Sequence, residues 1–559
     1  MLAMLLGLWL LGLSVVSVSL VGPLTTAHAD TDPPTGLPAT VSADALPTVQ
    51  VDGVVWAQVT VGNTVYATGS FAYARPAGTP ANSSSRVARA NLLAYDIRTG
   101  ALISSFNHSL NQQGHAIAAS PNGTRLYVGG DFTTVDGVAR GRVVAFDTAT
   151  GNVVPTFQPA LNGNVRGLAA TNSAVYVGGS FSTAMGNARQ RLAGFTSAGA
   201  LLTWNPGADS TVNSMVMSPD QSRVVIGGAF ATLAGQPRNS MGAVLVNGSS
   251  APWSADFPIR NGGGSSSILS LSADATTVYG TGFYYMRGGN FEGRFAVEPN
   301  TGNLVWMNSC HGDSYSAYPI GDVLYSASHE HDCSDLGSFN QDETDTFAST
   351  HYFAAAETIA KTGILQAPVF GGMYASFAGQ PHSTQLDWYP RFVAGTYTGQ
   401  SQSTWSVTGN TSYVAFGGEF PSVNGTAQSG LVRFAIRSLA PNRVAPEAFA
   451  APTVASQVNG TVRVSWRADW DRDNSNLTYA VYRDGGTTAI HTQTYASHFW
   501  DRPFLGFTDT GLAPGSSHTY RVRVTDPLGN TVLSAASASV TTSSTAQASY
   551  TALVRGDGA

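Results

Sequence analysis

Residues 175–181 read VYVGGSF, and the same pattern returns along the chain. It stands as VYATGSF at 65–71, LYVGGDF at 126–132 and VVIGGAF at 224–230, with VYGTGFY at 278–284 and YVAFGGEF at 413–420. LYSASHE at 324–330 holds the equivalent place, with Ala327-Ser328 where the others carry glycine. Each stretch is a β-branched and aromatic run closed by Gly and a further aromatic, the composition of a strand. The gaps between successive aromatic positions are 61, 49, 49, 53, about 46 and 91 residues. A period near fifty is the mark of a repeat architecture.

Two further signatures surround the first. AYDIRTGALISSF (94–106), AFDTATGNVVPTF (145–157), GFTSAGALLTW (194–204), AVEPNTGNLVW (296–306) and a looser AKTGILQAPVF (360–370) each read as strand, tight glycine turn and strand. Turns such as SPNGTR (120–125), SPDQSR (218–223) and SADATT (272–277) join a short apolar strand to the one that follows. About four strands per unit cannot bury their own faces, so the units must stack. Units of this size arranged radially make a β-propeller. The expected fold is all-β, a seven-bladed propeller over residues 46–440. The 91-residue gap leaves an eighth blade open. Strands near Val54–Thr60 and Leu431–Phe434 are expected to meet in one sheet and close the ring, removing its exposed edges.

These motifs resemble the delta-60-type repeat propellers of secreted bacterial proteins. SCHGDSYS (309–316), HEHDC (329–333), FAGQP (377–381) and TWSVTGN (404–410) also resemble multidomain exported proteins of high-GC Gram-positive bacteria. The resemblance implies a propeller followed by fibronectin-like and lectin-like modules. It implies no particular activity.

Outside the repeats the composition shifts. APNRVAPEAFAAP (440–452) reads as a linker, taken as 441–452, and alternating strands follow over 453–543. LAPGSSHTYRV (512–522) resembles a fibronectin type III segment around its corner tyrosine, here Tyr520, with Trp466 as core aromatic of the sandwich. Residues 544–559 read as a linker or as the cut start of a lectin-like domain. At the other end, 1–21 are uncharged and apolar and Ala27-His28-Ala29 is a signal-peptidase pattern. Residues 1–29 are therefore expected to be a signal peptide, with 30–45 a linker. No basic residue precedes the apolar run, so a signal anchor stays open.

Charge excludes several classes. The chain carries 28 basic and 34 acidic residues among 559, net −6, which argues against a nucleic-acid partner. Lys361 is the single lysine and no G-K-[ST] occurs, which excludes a P-loop. No G-x-S-x-G nucleophile elbow is present.

Four groups of residues are candidates for chemistry. Cys310 and Cys333 are the only cysteines, and export predicts a disulfide between them. His311, Asp313, His329 and His331 lie beside them and have the ligand types of a divalent metal site, with a polar packing cluster as the plain alternative. His115, Arg166 and Asn213 occupy matching places in the strands that open their repeats, where side chains point into a propeller channel; water-filled channel walls are the plain alternative. Asp469, Asp471 and Asp473 superficially resemble a calcium loop, but Asn474 and Ala480 replace the EF-hand Gly and Glu. The insertion from Ser334 to Gln402 adds Asp342, Glu343, Asp345, Trp388 and Tyr389, suited to gripping a sugar or cation.

The expected function is a secreted, non-catalytic module that binds polysaccharide or another cell-surface ligand through His115, Arg166, Asn213, Asp313 and Trp388. It should be monomeric and free of the membrane after signal cleavage. No cofactor is implied beyond a divalent metal or calcium. The alternatives are an extracellular glycan-active hydrolase using two carboxylates drawn from Asp256, Glu298, Asp313, Glu330 and Asp387, or a structural adhesion protein.

Overall fold

A computed structural model of the chain describes residues 33–545, except 35, 255–257, 286–287, 342–351 and 370–373. The expected signal segment, Asp256, Asp342, Glu343, Asp345 and 546–559 lie outside the described residues. Among the described residues the chain is all-β, with one 3-10 turn at Ser334–Leu336. No helix there is long and apolar enough to cross a membrane.

Each repeat folds into one antiparallel sheet of three or four strands. The first strands are β1 (Val54–Val61), β2 (Gly114–Ala119), β3 (Val165–Ala170), β4 (Val212–Met217), β5 (Ser266–Ala273), β6 (Ser314–Ile320) and β7 (Thr404–Asn410). Each packs beside the next, and β7 packs beside β1, so the seven form a cycle around a common centre. The glycine pair explains how they come so close. A Cβ at Gly178 would overlap Val212 in the first strand of the next sheet, and one at Gly179 would overlap the Asn164 carbonyl in its own sheet. Buried β-branched and aromatic residues such as Tyr127, Phe157, Val175 and Phe195 fill the space between sheets.

The closure differs from the expectation. Val54–Thr60 does not pair with Leu431–Phe434. β1 instead leads its own sheet and meets β7 side by side, with Gln58 Nε2 donating to Ser406 Oγ at 3.2 Å and Thr60 and Thr408 hydroxyls at 3.0 Å. The last ring strand, β8 (Leu431–Ala435), pairs on one edge with Tyr413–Gly418 and on the other with residues 42–46: Ser42 N–H donates to the Ala435 carbonyl and Leu46 N–H to that of Arg433, both at 2.9 Å. Residues 40–45, expected within a linker, are buried throughout or nearly so. A sheet built from segments nearly 390 residues apart cannot open without breaking its hydrogen bonds.

After residue 452 a three-stranded and a four-stranded sheet, with a two-stranded ladder of Ser517–His518 and Val540–Thr541 beside them, enclose Trp466, Tyr479 and Tyr520. The Tyr520 hydroxyl donates to Asp509 Oδ2 at 2.9 Å. This unit is not tethered by a free linker. Tyr389 and Arg472 exchange backbone and side-chain hydrogen bonds, and Arg437 pairs with Asp473 at 3.0 Å. Phe339, Tyr352 and Tyr389 stack with Phe499, and Asn530 Nδ2 donates to the carbonyls of Asn442 and Val444 within the linker. Arg472, Asp473, Phe499 and Asn530 of this unit thus face the ring.

Candidate functional site

All seven first strands carry a β-bulge at the same level, where the register with the second strand skips one residue. The skipped residues are Trp56, His115, Arg166, Asn213, Leu269, Tyr315 and Trp405. All seven line one central cavity of about 500 Å³, within the ~300–1,000 Å³ common for small-molecule sites. Bulges re-aim side chains, here towards the centre. The residue after each bulge is Ala, Gly or Ser: Ala57, Ala116, Gly167, Ser214, Ser270, Ser316 and Ser406. Crowding between neighbouring first strands leaves room for little else; a Cβ at Gly167 would press on Ser214 and Met215.

The ring has two unlike halves. Trp56 packs edge-on against Trp405 at 5.0 Å between ring centroids, and Trp405 against Tyr315 at 4.3 Å, which makes an aromatic arc. Trp405 Nε1 donates to Glu419 Oε1 at 3.1 Å and Trp56 Nε1 to Gln113 Oε1 at 3.0 Å. His115, Arg166 and Asn213 form the polar arc. His115 Nε2 lies 2.9 Å from Asp131 Oδ2, which also accepts from Gln113 at 3.0 Å. Burial and the Arg166 charge push the His115 imidazole down, against the pull of Asp131. Burial alone would raise Asp131, but the bonds from His115 and Gln113 outweigh it and hold the carboxyl below its usual range.

Sequence reasoning reached three of the seven and missed Trp56, Leu269, Tyr315 and Trp405. A signal was available. Each bulged residue stands twelve or fourteen positions ahead of the first residue of its glycine pair or that pair's replacement, and each is followed by a small residue.

The second candidate group adjoins the ring. Cys310 and Cys333 are joined in a disulfide and fully buried. The link sets the 311–313 turn against the 329–331 segment, with His331 N–H donating to the His311 carbonyl at 2.9 Å and His329 N–H to that of Asp313 at 3.0 Å. His329 Nδ1 meets the Tyr315 hydroxyl at 2.8 Å and Gln402 Oε1 at 3.1 Å, while its Nε2 accepts from Asp313 N–H at 3.2 Å. His311 stacks on Tyr374 at 3.7 Å, and His329 on His331 at 6.2 Å. Among His311, Asp313, His329 and His331, no three offer ligand atoms within 4.8 Å of one another. Among the described residues the only three ligand atoms within 4.8 Å of one another belong to Cys310, Glu330 and Cys333, whose sulfurs are already joined. The Tyr315 hydroxyl, Gln402 and the Asp313 N–H engage the His329 imidazole, while the His311 ring stacks on Tyr374 and the His331 ring on His329.

Two stability predictions arise here. Replacing Cys310 and Cys333 together by Ser should cost about 3 kcal/mol, the chain-entropy value for a loop near 24 residues; an unchanged urea midpoint would remove the disulfide from the account. Burial and the neighbouring Glu292 push Asp313 up to about 7, and burial raises Asp469 to about 7. Free aspartate titrates near ~3.9. Between these values the folded chain binds more protons than the unfolded, so stability falls as pH rises from about 4 to 7, by on the order of 1 kcal/mol per unit for each group. Asp313→Asn should flatten part of that decline in urea titrations at pH 4.5, 6 and 7.5. An identical decline in both proteins contradicts the assignment.

Other candidates are placed elsewhere. Trp388 is fully buried between the sixth and seventh sheets and Tyr389 nearly so, so neither faces a ligand. Asp469, Asp471 and Asp473 are fully buried at the junction with the second unit, Asp473 on Arg437 and Asp469 3.4 Å from Arg502. They do not form an open calcium loop. Glu330 is buried on Arg294, Asp387 on His498 at 3.2 Å, and Glu298 caps a turn through Thr301 and Asn303.

No family model matches the chain. Among curated proteins it is 35% identical over 103 residues to exoglucanase B of Cellulomonas fimi, a stretch that is 18% of this chain and 8% of that protein. The chain thus spans less than a tenth of that relative's length. Among solved structures it is similar to a GH74 enzyme of Niastella koreensis, with TM-score 0.38 and 12% identity over 88% of this chain and 74% of that one. It is also similar to an oligogalacturonate lyase of Vibrio parahaemolyticus, with TM-score 0.35 and 9% identity over 71% and 93%. A sixth fibronectin type III domain from a human protein aligns at TM-score 0.14 and 18% identity, over 19% and 93%.

Proposed function

We propose that the chain is a secreted, seven-bladed β-propeller that binds carbohydrate at the mouth of its central channel, without catalysis, and carries a docked fibronectin type III module. The observation that carries this reading is the ring of seven bulged residues. Aromatic faces on one arc suit the apolar face of a pyranose, and hydrogen-bonding groups on the other suit its hydroxyls. The cyclic packing of the first strands supports the blade count. The proposed polysaccharide ligand accords with secretion as a monomer.

A second reading, a glycan-active hydrolase, is favoured by Asp313. Its carboxyl, held near 7, lies 3.4 Å from the hydroxyl of the ring residue Tyr315, while Asp131 stays ionised by the same ring. Carboxyls with separated pKa values are the pattern of an acid and a base. A polysaccharide panel separates the two, with binding and release of reducing ends measured on the same samples. Binding without release is expected. Release that Asp313→Asn abolishes would establish the enzyme, and no binding to any member would overturn both readings.

A further inference from the structure

Arg166 stands apart from the other members of the ring. Trp56, His115, Asn213, Tyr315 and Trp405 each hold a hydrogen-bond partner, and Leu269 needs none. Arg166 is exposed in the channel wall and has no hydrogen bond or ion pair among the described residues. Asp131, which feels the Arg166 charge, is already engaged by His115 and Gln113. A guanidinium carries five donors in a fixed fork that matches a planar anion.

Position adds direction. The cyclic order of first strands puts β3 three steps from β6 one way and three steps from β7 the other. Arg166 therefore faces the Tyr315–Trp405 edge across the channel. We infer that the site selects an acidic glycan, whose ring lies on the Trp405–Tyr315 arc and whose carboxylate or sulfate group is received by Arg166. This rests on the carbohydrate reading above and adds the class of sugar to it. The neutral imidazole of His115 beside Arg166 leaves the guanidinium as the cation of the polar arc.

The test uses the full chain and three matched probes: an oligoglucuronate, the same oligomer with its carboxylates reduced to the neutral glucan, and a sulfated glucan of equal length. Titration calorimetry at low and moderate salt should show one anionic probe bound about 10- to 100-fold more tightly than the neutral one, the surplus shrinking with salt. Whichever anionic probe binds identifies the group. Arg166→Gln should bring anionic and neutral affinities level, and Arg166→Lys should restore only part of the preference, since it loses the fork. Equal binding of all three probes by the wild type would overturn the inference and leave the carbohydrate reading intact. A preference that survives Arg166→Gln would overturn the assignment to Arg166, and failure to bind any probe would count against both.

Discussion

Replacing Arg294 by Met should lower the unfolding free energy by about 3–5 kcal/mol at neutral pH. Arg294 is fully buried in the fifth sheet and reaches the sixth, with Nη1 at 2.5 Å from Glu330 Oε2 and Nε at 2.8 Å from Glu357 Oε1. Burial works against its charge, but the two carboxylates more than offset this and hold its proton. Gln385 donates to Glu330 at 2.9 Å, and Ser383 and Asn308 donate to Glu357, so the acceptors are satisfied as long as the cation is present. Without it, two carboxylates stay in a dry interface with no opposite charge. The cost comes from the stranded acids more than from the lost attraction. It should shrink on acidification, because burial already raises Glu330 and a proton then neutralises it. Urea melts at pH 7 and pH 4.5 check this; a loss under 1 kcal/mol at pH 7 contradicts it.

Trp388→Ala should cost a similar ~3–5 kcal/mol, the usual range for emptying an aromatic site in a core. The indole meets Tyr325 and Phe434 edge-on at 5.2 Å and Phe416 at 5.8 Å, so few neighbours can collapse into the cavity. Sequence composition made it a candidate sugar platform, and the two roles predict opposite results. As a core residue it governs the melting midpoint and leaves the affinity of the folded protein within about twofold. A large loss of affinity with an unchanged midpoint would return it to the ligand site.

The repeat was legible because its residues answer to fixed neighbours. Gly178 recurs since the Val212 side chain of the next sheet leaves no room for a Cβ, Gly179 since the Asn164 carbonyl passes too close, and Val175 and Phe195 since each sheet must fit the next. The bulged residues face the cavity, where their partners differ from sheet to sheet. They vary from Trp to Leu to Arg, and only their position repeats. Closure by residues 42–46 was hidden because SADAL is short and lacks β-branched or aromatic residues, and its pairing partner lies nearly 390 residues away in sequence. DWDRDN reads as a solvated loop because charges are seldom buried, yet Arg437 and Arg502 receive Asp473 and Asp469 at the junction. Aromatic composition in the insertion could not separate a core from a platform. That distinction is made only by packing.

Trp405 tests the central claim most directly. It is the middle of the aromatic arc, in contact with both Trp56 and Tyr315. Titrating wild type and Trp405→Ala with the oligosaccharide selected from the panel, at a temperature where both are folded, should show affinity falling by about 30-fold or more, the loss expected of an aromatic anchor at the centre of a site. Undiminished binding by Trp405→Ala would contradict a ligand site at the channel mouth.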